Sequence, residues 1–169
     1  MADRNALEWA VLPLKRYADF RGRAPRAEYW WFTLAITLIG FLVEYVDQLI
    51  GGAVLGVYGP ATLIFTLGLF VPGLAVMVRR LHDIDRSGWW ALLSIGSYLL
   101  MFVGFATDDP EAPFSTLEGL GMGTVLALVL AFVVSMIVLL VFMVTRGNDG
   151  SNRFGADPYG PDQLEEIFA

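Results

Sequence analysis

Cysteine is absent and histidine occurs once in the 169 residues. The first absence excludes a disulfide framework, a thiolate metal site, a thiol nucleophile and an iron-sulfur cluster, and leaves the redox compartment open. The second excludes a zinc motif built on two histidines of one chain. Charge is also scarce: 17% of the residues are charged against 56% hydrophobic, a balance outside that of an ordinary soluble domain. The apolar residues are gathered into four long uncharged runs separated by short charged segments. That arrangement reads as a membrane protein with room for a single unit, residues 1–169, and no separate soluble domain.

A hydrocarbon core of about 30 Å takes roughly 20 residues of helix. The uncharged runs predict spans over about 29–50, 61–78, 89–106 and 120–144, the second carrying Gly68, Pro72 and Gly73, which a membrane helix tolerates as a kink. Positive charge is missing altogether from the segments that follow the first and third spans. All eleven basic residues lie elsewhere: Arg4, Lys15, Arg16, Arg21, Arg23 and Arg26 before the first span, Arg79, Arg80 and Arg86 after the second, and Arg146 and Arg153 after the fourth. Glu44, Asp47, Asp108, Asp109, Glu111 and Glu118 occupy the other side, so the formal net charge of -6 belongs to that face. Positive residues in short loops are retained in the cytoplasm. The expected fold is therefore an all-α, four-helix transmembrane bundle with both termini cytoplasmic and with residues 145–169 as a cytoplasmic tail.

Residues 1–28 hold six basic and four acidic side chains and no apolar core of the length that a cleavable signal needs. They read as an interfacial helix, with Pro13 suited to its first turn, Gly22 to its end, and Leu14, Tyr17, Ala18 and Phe20 facing the headgroup boundary. Tyr29, Trp30 and Trp31 open the first span and Trp89 and Trp90 the third, as an aromatic belt predicts.

Three sequence words stand out: Phe20-Arg-Gly-Arg-Ala-Pro-Arg-Ala-Glu-Tyr-Trp-Trp-Phe32, Arg79-Arg-Leu-His-Asp-Ile-Asp-Arg-Ser-Gly-Trp-Trp90 and Gly150-Ser-Asn-Arg-Phe-Gly-Ala-Asp-Pro158. In this order, over about residues 10 to 160, they resemble the small bacterial inner-membrane family known as domain of unknown function 805. The resemblance implies a fold and a location, and no activity. Its signature falls on Gly22, Arg23, Arg26, Glu28, Tyr29 and Trp30, then on Arg79, Arg80, Leu81, His82, Asp83, Ser87, Trp89 and Trp90, and in the tail on Asn152, Arg153, Phe154, Gly155, Asp157 and Pro158. Ala156 departs from a proline common in the family, and the outer loop 107–119 is longer and more acidic than the family leads one to expect.

All three words converge on the expected cytoplasmic face. Arg23, Arg26, Arg79, Arg80, Arg86 and Arg153 form a platform that could surround an anion, since guanidinium forks bind phosphate or carboxylate bidentately. Glu28, Asp83, Asp85 and Asp157 compete for the same forks, which gives a second reading, an internal ion-pair network. Asn152 belongs to the same platform. His82 beside Asp83 invites an acid-base role, but neighbours in a helix do not face each other, and Ser87 is the nearest hydroxyl. A satisfied interfacial histidine is the plainer reading, and no metal-ligand spacing or cofactor motif is present. The tail lacks the Gly-Lys-Ser/Thr of a nucleotide loop and the distal Glu of a calcium loop. With the aromatics opening spans and no net positive charge on the face, nucleic acid is not an expected partner.

Glu44 and Asp47 form a possible intramembrane acidic pair, a candidate proton or cation site, unless the helix ends early and leaves them at the outer boundary. Gly123, Ala127, Ala131 and Ser135 recur every four residues, a small-residue stripe that suits packing within the bundle or a homo-oligomer. The leading expectation is a non-enzymatic membrane protein whose arginine-rich platform binds an anionic lipid headgroup or a protein partner. A small transporter using Glu44 and Asp47, and a membrane enzyme acting on lipid phosphate through His82 and Asp83, are the alternatives.

Overall fold

The computed structural model of the chain describes residues 4–51, 59–94 and 122–160, with side chains from residue 126 onward in the last stretch. The third expected span beyond Ser94, the acidic loop 107–119, the surroundings of Gly123 and residues 161–169 lie outside the described residues. Within them the chain is helical: α1 (Ala6–Lys15), α2 (Arg26–Leu49), α3 (Pro60–Asp83), a 3-10 turn (Gly88–Ala91) and α4 (Met122–Val144). Three helices, Arg26–Leu49, Pro60–Asp83 and Leu126–Val144, are long and apolar enough to cross a membrane.

The first helix begins and ends earlier than the sequence suggested. Asn5 and Glu8 form a reciprocal cap, the Glu8 amide donating to Asn5 Oδ1 at 2.9 Å and Asn5 Nδ2 donating to Glu8 Oε1 at 3.1 Å. That cap starts the helix at Ala6 and places Pro13 inside it rather than in its first turn. The helix stops at Lys15, so Gly22 does not end it; Gly22 turns the following segment with φ +78°, a conformation that favours glycine. Trp9 and Pro13 are buried while Leu14, Tyr17 and Phe20 are exposed.

Two carboxylates of α2 fix how it meets α3. Asp47, near the end of α2, accepts from the backbone amides of Ala61 at 3.2 Å and Thr62 at 2.7 Å. These are orphan donors of the first turn of α3, so Asp47 acts as an N-cap supplied from another helix. Gly59 makes room for it, because a Cβ there would overlap the Asp47 carboxyl. At the other end Glu28 of α2 meets Arg79 of α3, so the two helices run antiparallel. Pro72 lies inside α3 and has no N–H for the carbonyl of Gly68, four residues back. The Tyr17 hydroxyl donates to that carbonyl at 2.6 Å, so the segment after α1 satisfies the group that the proline frees.

The packed apolar residues sit toward the arginine-bearing end of the helices. Ala24, Phe32 and Val76 make one cluster, and Leu81, Ala91 and Met143 another, with Val78 and Phe142 against it. Elsewhere large apolar side chains point outward, Leu38, Phe41, Leu42, Ile64, Leu67 and Leu130 each being at least 60% exposed. Buried polar groups with outward apolar ones is the pattern of a chain whose solvent is lipid. On α4 the inward residues are Leu139 and Met143, with Phe142 beside them. Ala127 and Ala131 of the small stripe are exposed, and Ser135 Oγ donates back to the Ala131 carbonyl at 2.7 Å.

The contact between Tyr17 and Gly68 exists because of Pro72, which a double-mutant cycle measures. Tyr17→Phe is expected to cost about 1 kcal/mol of thermal stability in detergent. In a Pro72→Ala background, where residue 72 regains its N–H, the same change should cost little.

Candidate functional site: an arginine-carboxylate knot

The three sequence words meet at one end of the molecule, around the carboxylate of Asp83 at the end of α3. Arg23 Nε donates to Asp83 Oδ1 at 2.9 Å, and Arg80 Nη1, one turn back on α3, donates to Oδ2. All three side chains are at most 5% exposed. Each guanidinium also reaches backbone. Arg23 donates to the carbonyls of Asn148 and Gly150 in the tail. Arg80 donates to the carbonyls of Met143, at 3.2 Å, and Thr145, and Arg26 Nε donates to Thr145 O at 3.0 Å. The last carbonyls of α4 have no intrahelical partners, and cations there also match the negative end of the helix.

The tail is tied to α3 by its backbone as well. The Asn148 amide donates to Asp83 O at 2.9 Å, and Asn152 Nδ2 donates to His82 O at 2.8 Å. Gly147 lies so close to Asp83 that a Cβ would overlap its carboxylate. Asp157 folds the tail on itself, accepting from the amides of Gly150 and Tyr159, each at 2.9 Å. Burial by itself would raise the Asp157 carboxyl, but these two amides, with Arg23 and Arg146 nearby, hold it below the usual carboxylate range.

A second pair lies on the other side of α3. Arg79 Nη2 donates to Glu28 Oε1 at 2.7 Å, with both side chains at most 1% exposed. The Ala24 amide donates to Arg79 O at 3.0 Å, pinning the segment that enters α2. Asp19 stands 4.0 Å from Arg79 Nη1 and pairs with Arg16 at 2.7 Å. The Arg16 hydrogen bond, outweighing partial burial, keeps the Asp19 carboxyl below its ordinary value.

His82 and Asp83 are neighbours that the structure does not bring together as a dyad. Asp83 is taken by Arg23 and Arg80, whereas His82 Nδ1 lies 3.1 Å from the Gly22 carbonyl and its ring stacks on Phe154, centroids 3.9 Å apart and planes 3° from parallel. Arg153 covers Phe154 at 4.8 Å and pairs with Asp85 at 3.1 Å. Asp85 has φ +55°, a turn conformation that Asp adopts more readily than most residues. Arg86 is exposed and lies over the Phe142 ring at 5.6 Å. Glu44 is half-buried and makes no ion pair among the described residues, while Asp47 serves as the cap of α3. No group of metal-ligating side chains occurs among the described residues.

Of the residues the sequence suggested as an anion-binding platform or an internal ion-pair network, the structure brings Arg23, Arg26, Arg80, Asp83 and Asn152 together, sets Glu28 with Arg79 beside them, and leaves Arg153 on Asp85. Sequence reasoning missed Gly147, Thr145 and Asn148, whose contribution is backbone, and the capping role of Asp47. The Asp47 role has a weak sequence signal: an acid near the end of one apolar run, ahead of the Gly59-Pro60 that opens the next helix.

Comparison with known proteins agrees with the three words. The family described as "Protein of unknown function (DUF805)" matches residues 17–156. "Inner membrane protein YhaH" of Escherichia coli (strain K12) is 34% identical over 152 residues, covering 90% of this chain and 97% of that protein. "Inner membrane protein YhaI" of the same strain is 36% identical over 153 residues, covering 90% and 96%. "Uncharacterized protein YiiR", also of that strain, is 31% identical over 141 residues, covering 82% and 85%. No solved structure matches the chain.

Removing one partner of a buried pair leaves the other charge uncompensated. Arg80→Ala is accordingly expected to lower stability by about 3 kcal/mol or more, read as thermal unfolding in detergent. Arg80→Lys should recover little, because an ammonium cannot span Asp83 and two carbonyls at once. Gly147→Ala should destabilise in the same assay by pushing the tail off Asp83. The lowered Asp157 carboxyl contributes stability that is present above the ordinary carboxylate pKa, about 3.9, and is lost as pH falls through its lower folded value. Hydrogen exchange at Gly150 and Tyr159 should therefore stay slow at pH 4. In Asp157→Asn it should be about fivefold faster at neutral pH, without the acid-side transition.

Proposed function

The chain belongs to the DUF805 family, and from that premise we propose that it is a non-catalytic, integral inner-membrane protein in which the arginine-carboxylate knot is a structural clasp. The exposed cations around it contact anionic lipid headgroups. The observation that carries this reading is a division among the arginines. Arg23 and Arg80 are buried with their forks on Asp83 and backbone carbonyls, and Arg79 is buried against Glu28 through Nη2, its Nε and Nη1 making no hydrogen bond among the described residues. Arg21, Arg26 and Arg86 are exposed and form no ion pair among the described residues. Trp30, Trp31, Trp89 and Trp90 are exposed beside them, as anchors at a headgroup boundary are.

In the proposed topology four spans place both termini in the cytoplasm. Its supports are the confinement of all eleven basic residues to alternate segments and the ends of α3 and α4, which meet at the same knot. Two helices that run parallel and end together call for an odd number of crossings between them. A clasp at that end would tie the N-terminal segment, α3, α4 and the tail into one rigid cytoplasmic face, and the rim of that face would meet the lipid.

Purified protein analysed by native mass spectrometry tests the lipid part. Protein carrying Arg21→Ala and Arg86→Ala together should retain phosphatidylglycerol and cardiolipin at least about tenfold less than the parent while melting within a few degrees of it. Each exposed cation near an anionic surface is worth about 1 kcal/mol. Unchanged retention of anionic lipid by that variant would remove the proposal.

A further inference from the structure

Between the end of α3, the 3-10 turn and the tail lies a cleft of about 370 Å³ that the clasp does not use. Leu74, Val78 and Leu92 make its apolar wall, and Trp89, His82 and Phe154 its aromatic one. We infer that this cleft binds the headgroup and first methylenes of a zwitterionic phospholipid carrying a primary amine.

The argument starts from the two nitrogens of His82. Nδ1 lies 3.1 Å from the Gly22 carbonyl, which can only accept, so this nitrogen carries the proton. In the neutral ring Nε2 is then a lone-pair acceptor. It points toward the floor of the cleft: a Cβ built on Gly88, which also lines the cleft, would sit 3.5 Å from it. Among the described residues nothing donates to Nε2. Phe154 stacked on the ring and the Gly22 contact together fix its orientation, so the acceptor is preorganised rather than swinging.

A ligand for this acceptor must carry a hydrogen-bond donor. Trp89, 77% exposed, adds an indole face, and aromatic faces attract cations. No Lys or Arg lines the cleft, and the nearby Arg153 sits over Phe154 with its charge offset by Asp85. Among the described lining residues the side-chain donors are neutral, Ser87 and the Trp89 indole with them, so the wall brings no cation to a bare phosphate, in contrast to the arginine rim. An ammonium group is at once donor and cation, and a choline head has the charge without the N–H. The apolar wall leads from His82 along Leu74 and Val78 into the membrane-spanning part of α3, the direction an acyl chain takes. A volume of this size suits a small polar head with a short apolar segment.

The test is competition in nanodiscs holding equal parts of phosphatidylethanolamine, phosphatidylcholine and phosphatidylglycerol with identical chains, followed by native mass spectrometry of the released protein. The parent should retain the ethanolamine lipid over the choline lipid by about tenfold. Leu92→Trp fills the cleft from its exposed wall without touching His82, and Trp89→Leu removes the indole. Both should bring the two lipids near parity without lowering the melting temperature, while Arg86→Ala should leave the preference intact. Equal retention by the parent overturns the proposal, as does a preference that survives both cleft variants. If Leu92→Trp loses phosphatidylglycerol instead, a hydroxyl donor occupies the cleft and the amine assignment falls. Because the rim is tested by anionic lipid and the cleft by amine against choline, the two readings fail separately.

Discussion

The arrangement depends on one buried carboxylate. Asp83 holds Arg23 from the segment before α2 and Arg80 from its own helix, and both guanidiniums continue past it to backbone carbonyls of the tail and of α4. A buried ion pair by itself stabilises little, since desolvation of both charges offsets their attraction. Here the forks do more than neutralise Asp83. They satisfy the terminal carbonyls of α4 at a point where burial leaves few alternatives. The gain is in specificity: four separate parts of the chain can share this carboxylate and these forks in one arrangement only.

That arrangement separates two classes of arginine that a count of charges cannot. Arg79 and Arg80 are adjacent in sequence, yet they face different carboxylates, Glu28 and Asp83, on different sides of α3. Their burial is possible because a guanidinium is planar, weakly hydrated and has donors enough to meet a carboxylate and carbonyls together. Arg26 and Arg86 sit exposed at the edge of the same structure, Arg26 giving its Nε to Thr145 O and Arg86 lying over the Phe142 ring. The inner forks are taken up within the chain, except that Arg79 Nε and Nη1 are buried without a hydrogen-bond partner among the described residues.

Much of this was legible in the sequence. Helices α2, α3 and α4 follow from uncharged runs, and the start of α2 and the end of α3 extend a few residues past the apolar stretch, which brings Glu28, Arg79 and Asp83 into the knot. The convergence of three words separated by about 60 residues followed from their shared boundary. Less legible was anything carried by backbone. Nothing in the identity of Thr145 or Asn148 announces that its carbonyl will accept an arginine, and Gly147 looks like loop punctuation until its distance to Asp83 is known. Pro13 misled for a related reason. Its preference for a first turn is real, but the Asn5 and Glu8 cap set the helix start about two turns earlier, and the proline was accommodated near the other end.

A bilayer explains why the informative residues cluster at the two ends of the helices. Between helices in lipid there is little hydrophobic driving force, since acyl chains accept leucine as readily as protein does. The middle of α2 and α3 accordingly shows its large apolar side chains to the outside and commits few of them to packing. Register and direction must then come from polar contacts where the helices enter and leave. Asp47 supplies one at the start of α3 and the arginine-carboxylate knot closes the opposite end, with Tyr17 adding a contact inside the helix at the carbonyl freed by Pro72. A chain held this way has its rigidity concentrated at one face, which is where a preorganised acceptor such as His82 Nε2 can be kept in place without a large protein core behind it.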